Sequence, residues 1–112
     1  QAYGDQIEAV FAQSDEMAFG VIQALKTQGY KPNEDIMICT VDGTQQALEA
    51  IIAGELTMSL YNNPDFGPYV LEVIEKLEKG EEIDTWIKVE NRIFTKDNAQ
   101  EALETIYLNK NK

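Results

Sequence analysis

The sequence contains no histidine and a single cysteine, and its 9 Lys+Arg are outnumbered by 20 Asp+Glu. Without histidine there is no Ser-His-Asp triad, no imidazole metal cage and no imidazole pH switch, so catalysis would have to rest on carboxylates or a cofactor. A lone Cys39 excludes an intrachain disulfide and a CxxC site. Set in the apolar run 36–41, it reads as a small buried hydrophobe. The scarcity of positive charge, with a net charge of -11, argues against a nucleic-acid or anionic-membrane partner, because such binding is driven by Lys and Arg releasing counterions. No apolar stretch approaches the ~18 residues of a membrane span, and residues 1–20 lack the basic and apolar regions of a signal peptide. What is present is 112 residues, 44% of them hydrophobic, which is enough for one core and not for two.

Residues 7–12 (Ile-Glu-Ala-Val-Phe-Ala) form a short apolar run with β-branched and aromatic members, as a buried strand requires. Residues 15–28 carry Met17, Val21 and Leu25 at steps of four beside Ala18 and Ile22, a helical stripe stopped by Gly29. The run 36–41 is apolar at every alternation, which predicts a parallel strand covered by helices on both faces. Thr44 then caps a helix with Ala47, Leu48, Ile51 and Ile52 on one stripe, ended by Gly54. Residues 56–61 alternate Leu56, Met58 and Leu60 against Thr57, Ser59 and Tyr61, as a strand with one wetter face or near an edge does. Pro64 and Pro68 stop that strand and open a third helix with Val70, Leu71, Ile74 and Leu77, closed by Gly80. Residues 86–94 read as a fourth strand region, and Asp97 with Gln100 as a capping box for a last helix carrying Ala99, Ala102, Leu103 and Ile106. Residues 109–112 read as a frayed tail. Alternating strand and helix with short connections predicts an α/β fold with an open, mostly parallel sheet and flanking helices.

In such a sheet ligands sit beyond the carboxyl ends of the strands, where loops and helix N-termini converge. Those ends read Gln13-Ser14-Asp15, Val41-Asp42-Gly43-Thr44 and Tyr61-Asn62-Asn63-Pro64. Short Ser, Asp and Asn side chains on rigid strand ends suit neutral hydroxyls, and an Asp can accept from two adjacent hydroxyls at once. They suit a phosphate poorly, since Asp15 and Asp42 would repel it, and no glycine-rich phosphate loop or Walker lysine is present. Each position also has a structural reading. Asp15 reads as an N-cap, Ser14 as either a cap or a ligand contact, and Asn62-Asn63-Pro64 as ordinary turn chemistry. Because Thr44 already supplies the second cap, Asp42 is the position most plainly left for a ligand. Trp86 and Tyr61 offer rings that could stack on a sugar or serve a core or interface. The acidic positions Glu72, Glu75 and Glu78, with Lys76 and Lys79, read as a solvated helix face.

The segments Ala-Val-Phe-Ala-Gln-Ser-Asp-Glu-Met-Ala-Phe-Gly (residues 9–20), Val-Asp-Gly-Thr (41–44) and Gly-Glu-Leu (54–56) resemble the C-terminal portion of periplasmic sugar-binding proteins of the ribose/galactose type. These receptors share a two-lobed fold with the ligand domains of lactose-repressor-like regulators. The stretch Asn-Asn-Pro-Asp-Phe-Gly-Pro (62–68), with Thr85-Trp86-Ile87 and residues 94–98, is most similar to the galactofuranose-binding subgroup. The resemblance implies sugar contacts at Ser14, Asp42 and Asn62. Ser14 departs from the usual Asn, and the shorter hydroxyl implies a rearranged or water-mediated contact. It further implies that residues 1–63 belong to the C-terminal lobe, that residues 64–108 are partly hinge and N-terminal-lobe elements, and that an N-terminal lobe is missing.

The function so implied is that of a periplasmic or otherwise extracytoplasmic receptor. It would bind an aldose, in pyranose or furanose form, between its lobes without chemistry and deliver it to an ABC permease, with no metal or cofactor. A lactose-repressor-like regulator and a sensor-kinase receptor domain are the alternatives that the same fold allows. A phospho-receiver is disfavoured because no lysine follows the third strand.

Overall fold

The computed structural model describes residues 3–108, so the tail at 109–112 lies outside the described residues. After a single 3-10 turn at Gly4–Gln6 come β1 (Ala9–Phe11), α1 (Asp15–Thr27), β2 (Met37–Asp42), α2 (Gln45–Ile52), β3 (Met58–Tyr61), α3 (Gly67–Lys79), β4 (Arg92–Thr95) and α4 (Ala99–Ala102), which widens into a π-helix at Leu103–Leu108. The sheet runs β1-β2-β3-β4, with the first two pairings parallel and β3–β4 antiparallel. It is the open, mostly parallel sheet expected, made mixed by its last strand. No helix among the described residues is long and apolar enough to cross a membrane.

The core lies on one face of this sheet. Ile38 of β2 and Phe94 of β4 pack with Ala18 and Ile22 of α1, Leu48 and Ile51 of α2, and Ala99 and Ala102 of α4. No helix among the described residues covers the opposite face. Cross-strand register aligns Phe11, Cys39, Met58 and Thr95 in one row and Val41, Leu60 and Ile93 in another. There Phe11 is 66% exposed, Met37 50% and Ile93 53%.

This corrects three expectations. The residues 36–41 are not covered by helices on both faces, because α1, α2 and α4 all pack on the same side. Cys39 is only half-buried, since odd-numbered positions of β2 point to the uncovered face; its thiol pKa is pushed up by the burial it does have. The strand at 7–12 is shorter than expected, and it is an edge strand rather than a buried one. In β3 the burial runs against hydrophobicity. Ser59 is fully buried whereas Met58 and Leu60 are half-exposed, because the even positions face away from the core.

The third amphipathic helix forms where its stripe predicts, with Pro68 in its first turn, yet α3 buries none of its residues. Val70, Leu71, Ile74 and Leu77 stay exposed, and only a groove of about 370 Å³ separates the helix from Ile87 and Val89 of the following segment. Its opposite face carries the exposed pairs Glu72–Lys76 and Glu75–Lys79, the solvated charge pattern expected. Residues 81–91 have no regular structure, so the fourth strand is confined to Arg92–Thr95 and Trp86 stands 86% exposed. This arm stretches the molecule to 61 × 37 × 20 Å, with a radius of gyration of 18.3 Å where a compact domain of about 100 residues has ~13 Å.

The capping box at Asp97 and Gln100 does not form. Asn98 is the helix boundary, and its amide side chain binds back to β4, accepting from the Thr95 N–H and donating to the Ile93 carbonyl, both at 2.9 Å. Gln100 donates instead to Glu104, one helical turn on.

Candidate functional site

The parallel pairing of β1, β2 and β3 brings their carboxyl ends, and with them Ser14, Asp42 and Asn62, to one edge of the sheet. Ser14 is the N-cap of α1, its Oγ accepting the Met17 N–H at 3.3 Å. The cap leaves its hydroxyl proton free to be donated elsewhere, so capping and ligand contact are compatible at this residue. Asn62 is exposed, and its backbone N–H donates to the Asp42 carbonyl at 3.4 Å, tying the second and third strand ends together. Neighbouring Asn63 is a turn residue, its Oδ1 accepting from the Asp65 N–H.

Asp42 differs from the other two. It ends β2, opposite Tyr61 of β3, with φ of 117°, a backbone conformation that favours glycine. Its carboxylate is half-buried and accepts no hydrogen bond from the described residues. Strain of this kind costs about 1–3 kcal/mol and persists where surroundings over-determine it, which is characteristic of functional positions.

Those surroundings centre on Asp15. Rather than capping α1, a task Ser14 performs, Asp15 is 0% exposed and is a hub that ties the end of β1 to the turn after β2 and to the interior of β3. Its Oδ2 accepts both the N–H and the hydroxyl of Thr44, each at 2.8 Å, and its Oδ1 accepts the Ser59 hydroxyl at 2.9 Å. Ser59 Oγ in turn accepts the Gly43 N–H at 2.9 Å, and Thr44 Oγ1 accepts the Ala47 N–H as the cap of α2. Each hydroxyl thus donates once and accepts once, and no buried side-chain polar atom among the described residues lacks a partner.

From the far end of the chain, the Tyr107 hydroxyl donates to the Gly43 carbonyl at 2.6 Å. Burial raises its pKa above the ordinary tyrosine value, with the nearby Tyr61 and Asp15 adding to the rise. Tyr61 packs a tilted ring on Phe94 at 5.5 Å, which makes it part of the wall behind Gly43.

The sequence offered only weak signals for this network. A serine amid the apolar alternation of β3 is a polar group needing a buried partner. Nothing in the pattern of the last helix singled out Tyr107.

A profile of the periplasmic binding protein domain matches residues 1–82. The chain belongs to the periplasmic binding protein family. It is 34% identical over 100 residues to the fructose import binding protein of Bifidobacterium longum, covering 89% of this chain and 30% of that protein. It is 31% identical over 102 residues to the galactofuranose-binding protein of Escherichia coli, covering 90% of this chain and 32% of that one. Among solved structures, the binding protein of an arabinose ABC transporter from a Shewanella species, bound to α- and β-L-arabinofuranose, superposes with a TM-score of 0.82 at 31% identity, over 92% of this chain and 35% of that chain. This periplasmic binding protein chain therefore spans about a third of the length of the relatives it matches. The resemblance on which the strand-end segments were matched is thus borne out at the level of the family.

Proposed function

We propose that the chain is the C-terminal part of a solute-binding receptor for an ABC sugar importer, acting outside the cytoplasm and binding a monosaccharide without chemical change. The observation that carries this reading is the Asp42 carboxylate, carried on a strained backbone, unengaged by the described residues and set between Ser14 and Asn62 at the strand ends of a periplasmic-binding-protein sheet. Asp42 would accept from two adjacent sugar hydroxyls, Asn62 would donate and accept through its amide, and Ser14 would donate its free proton. Relatives named for fructose, galactofuranose and arabinofuranose support a monosaccharide, and the last two favour a furanose.

Residues 1–63 are assigned to the C-terminal lobe and residues 64–108 in part to the hinge and the other lobe. This is supported by α3, which finds no core here, while β4 returns to the sheet. Sugar would be enclosed by hinge closure of the two lobes. A thermal-shift screen of the full-length parent against ribose, galactose, arabinose and fructose tests the reading. Stabilisation by at least one of them is expected, and no response to any monosaccharide would overturn it.

The 112-residue piece alone is expected to bind these sugars at ~millimolar strength or weaker. Each hydrogen bond made in an open site exchanges with water for a net of about 1 kcal/mol, while immobilising the ligand costs several. Its exposed apolar sheet face should also promote association. Titration of the monomeric fragment checks this, and micromolar affinity would show that one lobe suffices.

The receptor is further expected to carry no stoichiometric metal, nucleotide or flavin. The strand ends supply hydroxyl and carboxylate partners rather than a phosphate loop, and no cluster of three or more metal-ligating side chains occurs among the described residues. Elemental analysis and an ultraviolet spectrum of purified protein would detect either exception.

A further inference from the structure

We propose that Asp15 is the positioning residue of the site, holding the Asp42–Gly43–Thr44 turn so that the Asp42 carboxylate is presented to ligand; the inference rests on the ligand role proposed for Asp42. Fully buried, Asp15 has no surface with which to touch a sugar. Its reach is through the two peptides that follow Asp42. The Gly43 N–H is held by Ser59 Oγ, which Asp15 itself orients by accepting the Ser59 proton, and the Thr44 N–H is held by Asp15 directly. The carbonyl of Gly43 is held on the other side by Tyr107, and that of Asp42 by Asn62. Every peptide group from the Asp42 carbonyl to the Thr44 N–H therefore has a fixed partner.

A φ of 117° at a non-glycine residue would relax toward an ordinary conformation if those partners were lost, swinging the carboxylate with it. Among the described residues, the two charge-assisted bonds to Thr44 and the one to Ser59 are the only restraints on this turn that a carboxylate supplies, directly or through Ser59. Asp15 thus does for Asp42 what an outer-sphere hydrogen bond does for a metal ligand, setting its orientation without contacting the guest.

The test is a double-mutant cycle in the full-length receptor, read by calorimetric titration with the monosaccharide that gives the largest thermal shift. Asp42→Asn, which keeps one acceptor and leaves affinity measurable, serves as the second background. Asp15→Ala is expected to weaken affinity about ten-fold or more in the native background and by less than about two-fold in the Asp42→Asn background, because residues acting through one another do not add. A purely structural role would weaken binding equally in both backgrounds, and that additivity would overturn the inference. So would native affinity in a folded Asp15→Ala protein.

Should Asp15→Ala fail to fold by circular dichroism, Ser59→Ala removes the bond to Asp15 and the one from the Gly43 N–H while leaving both Asp15–Thr44 bonds in place, and is expected to show the same loss of effect in the Asp42→Asn background; additivity there overturns the inference equally. Full affinity in Asp42→Asn alone would instead sink the ligand role of Asp42, an outcome distinct from additive losses, which would leave that role standing and remove only Asp15.

Discussion

Asp42→Ala in the full-length receptor is expected to cost roughly 2–4 kcal/mol in sugar affinity, since it leaves hydroxyls without a charged acceptor in a desolvated site. The expectation follows from what the carboxylate lacks. Half-buried at a strand end, it takes no hydrogen bond from the described residues, whereas Asp15 and Asp35 nearby in sequence are both engaged. Its removal should accordingly do little harm to the fold, and because alanine keeps the Cβ the backbone strain at this position is unchanged. Calorimetry of the variant separates the two effects: weakened binding with an unchanged melting temperature is the expected pair. Unchanged affinity would reassign Asp42 to turn structure.

Gly43→Ala acts on the same turn with the opposite signature, destabilising the fold itself. The φ of Gly43 is 70°, and a Cβ there would lie 2.9 Å from the Tyr61 Cα, 2.9 Å from the Tyr61 ring and 2.9 Å from the Phe94 ring. A ring can rotate, but the Tyr61 Cα cannot retreat without pulling β3 from its pairing with Asp42. Left-handed strain of about 1–2 kcal/mol and overpacking of about 1–3 kcal/mol together predict a loss of roughly 2–5 kcal/mol. Urea denaturation of the variant should show a lower midpoint with little change in slope. An unchanged midpoint would mean that the turn repacks around the methyl group.

Much of the architecture was legible because periodicity records which side of an element seeks a partner. The stripes of α1 and α2, the proline at the start of α3 and the glycine stops at Gly29, Gly54 and Gly80, all with positive φ, are local features that short-range sterics determine. Burial was less legible. The apolar alternation of β2 says that both faces seek cover, not that this chain supplies it, and α3 has a full amphipathic stripe with nothing to lay it against. The box at Asp97 failed for a related reason: Asn98 found two backbone partners on β4 that local sequence cannot reveal.

The sequence by itself determined the class of fold, the family and the polar, phosphate-averse character of the strand ends, because these depend on composition, spacing and motifs read along the chain. Only the tertiary structure decided which carboxylate serves which end. Asp15 and Asp42 look alike in sequence, each an acidic residue following a strand. Packing buries Asp15 among Thr44 and Ser59, donors that lie 29 and 44 residues away, and leaves Asp42 without a donor among the described residues. A buried carboxylate must have its hydrogen-bond partners, and where those partners come from other strands their positions are settled by register and crossover, not by neighbours in the chain.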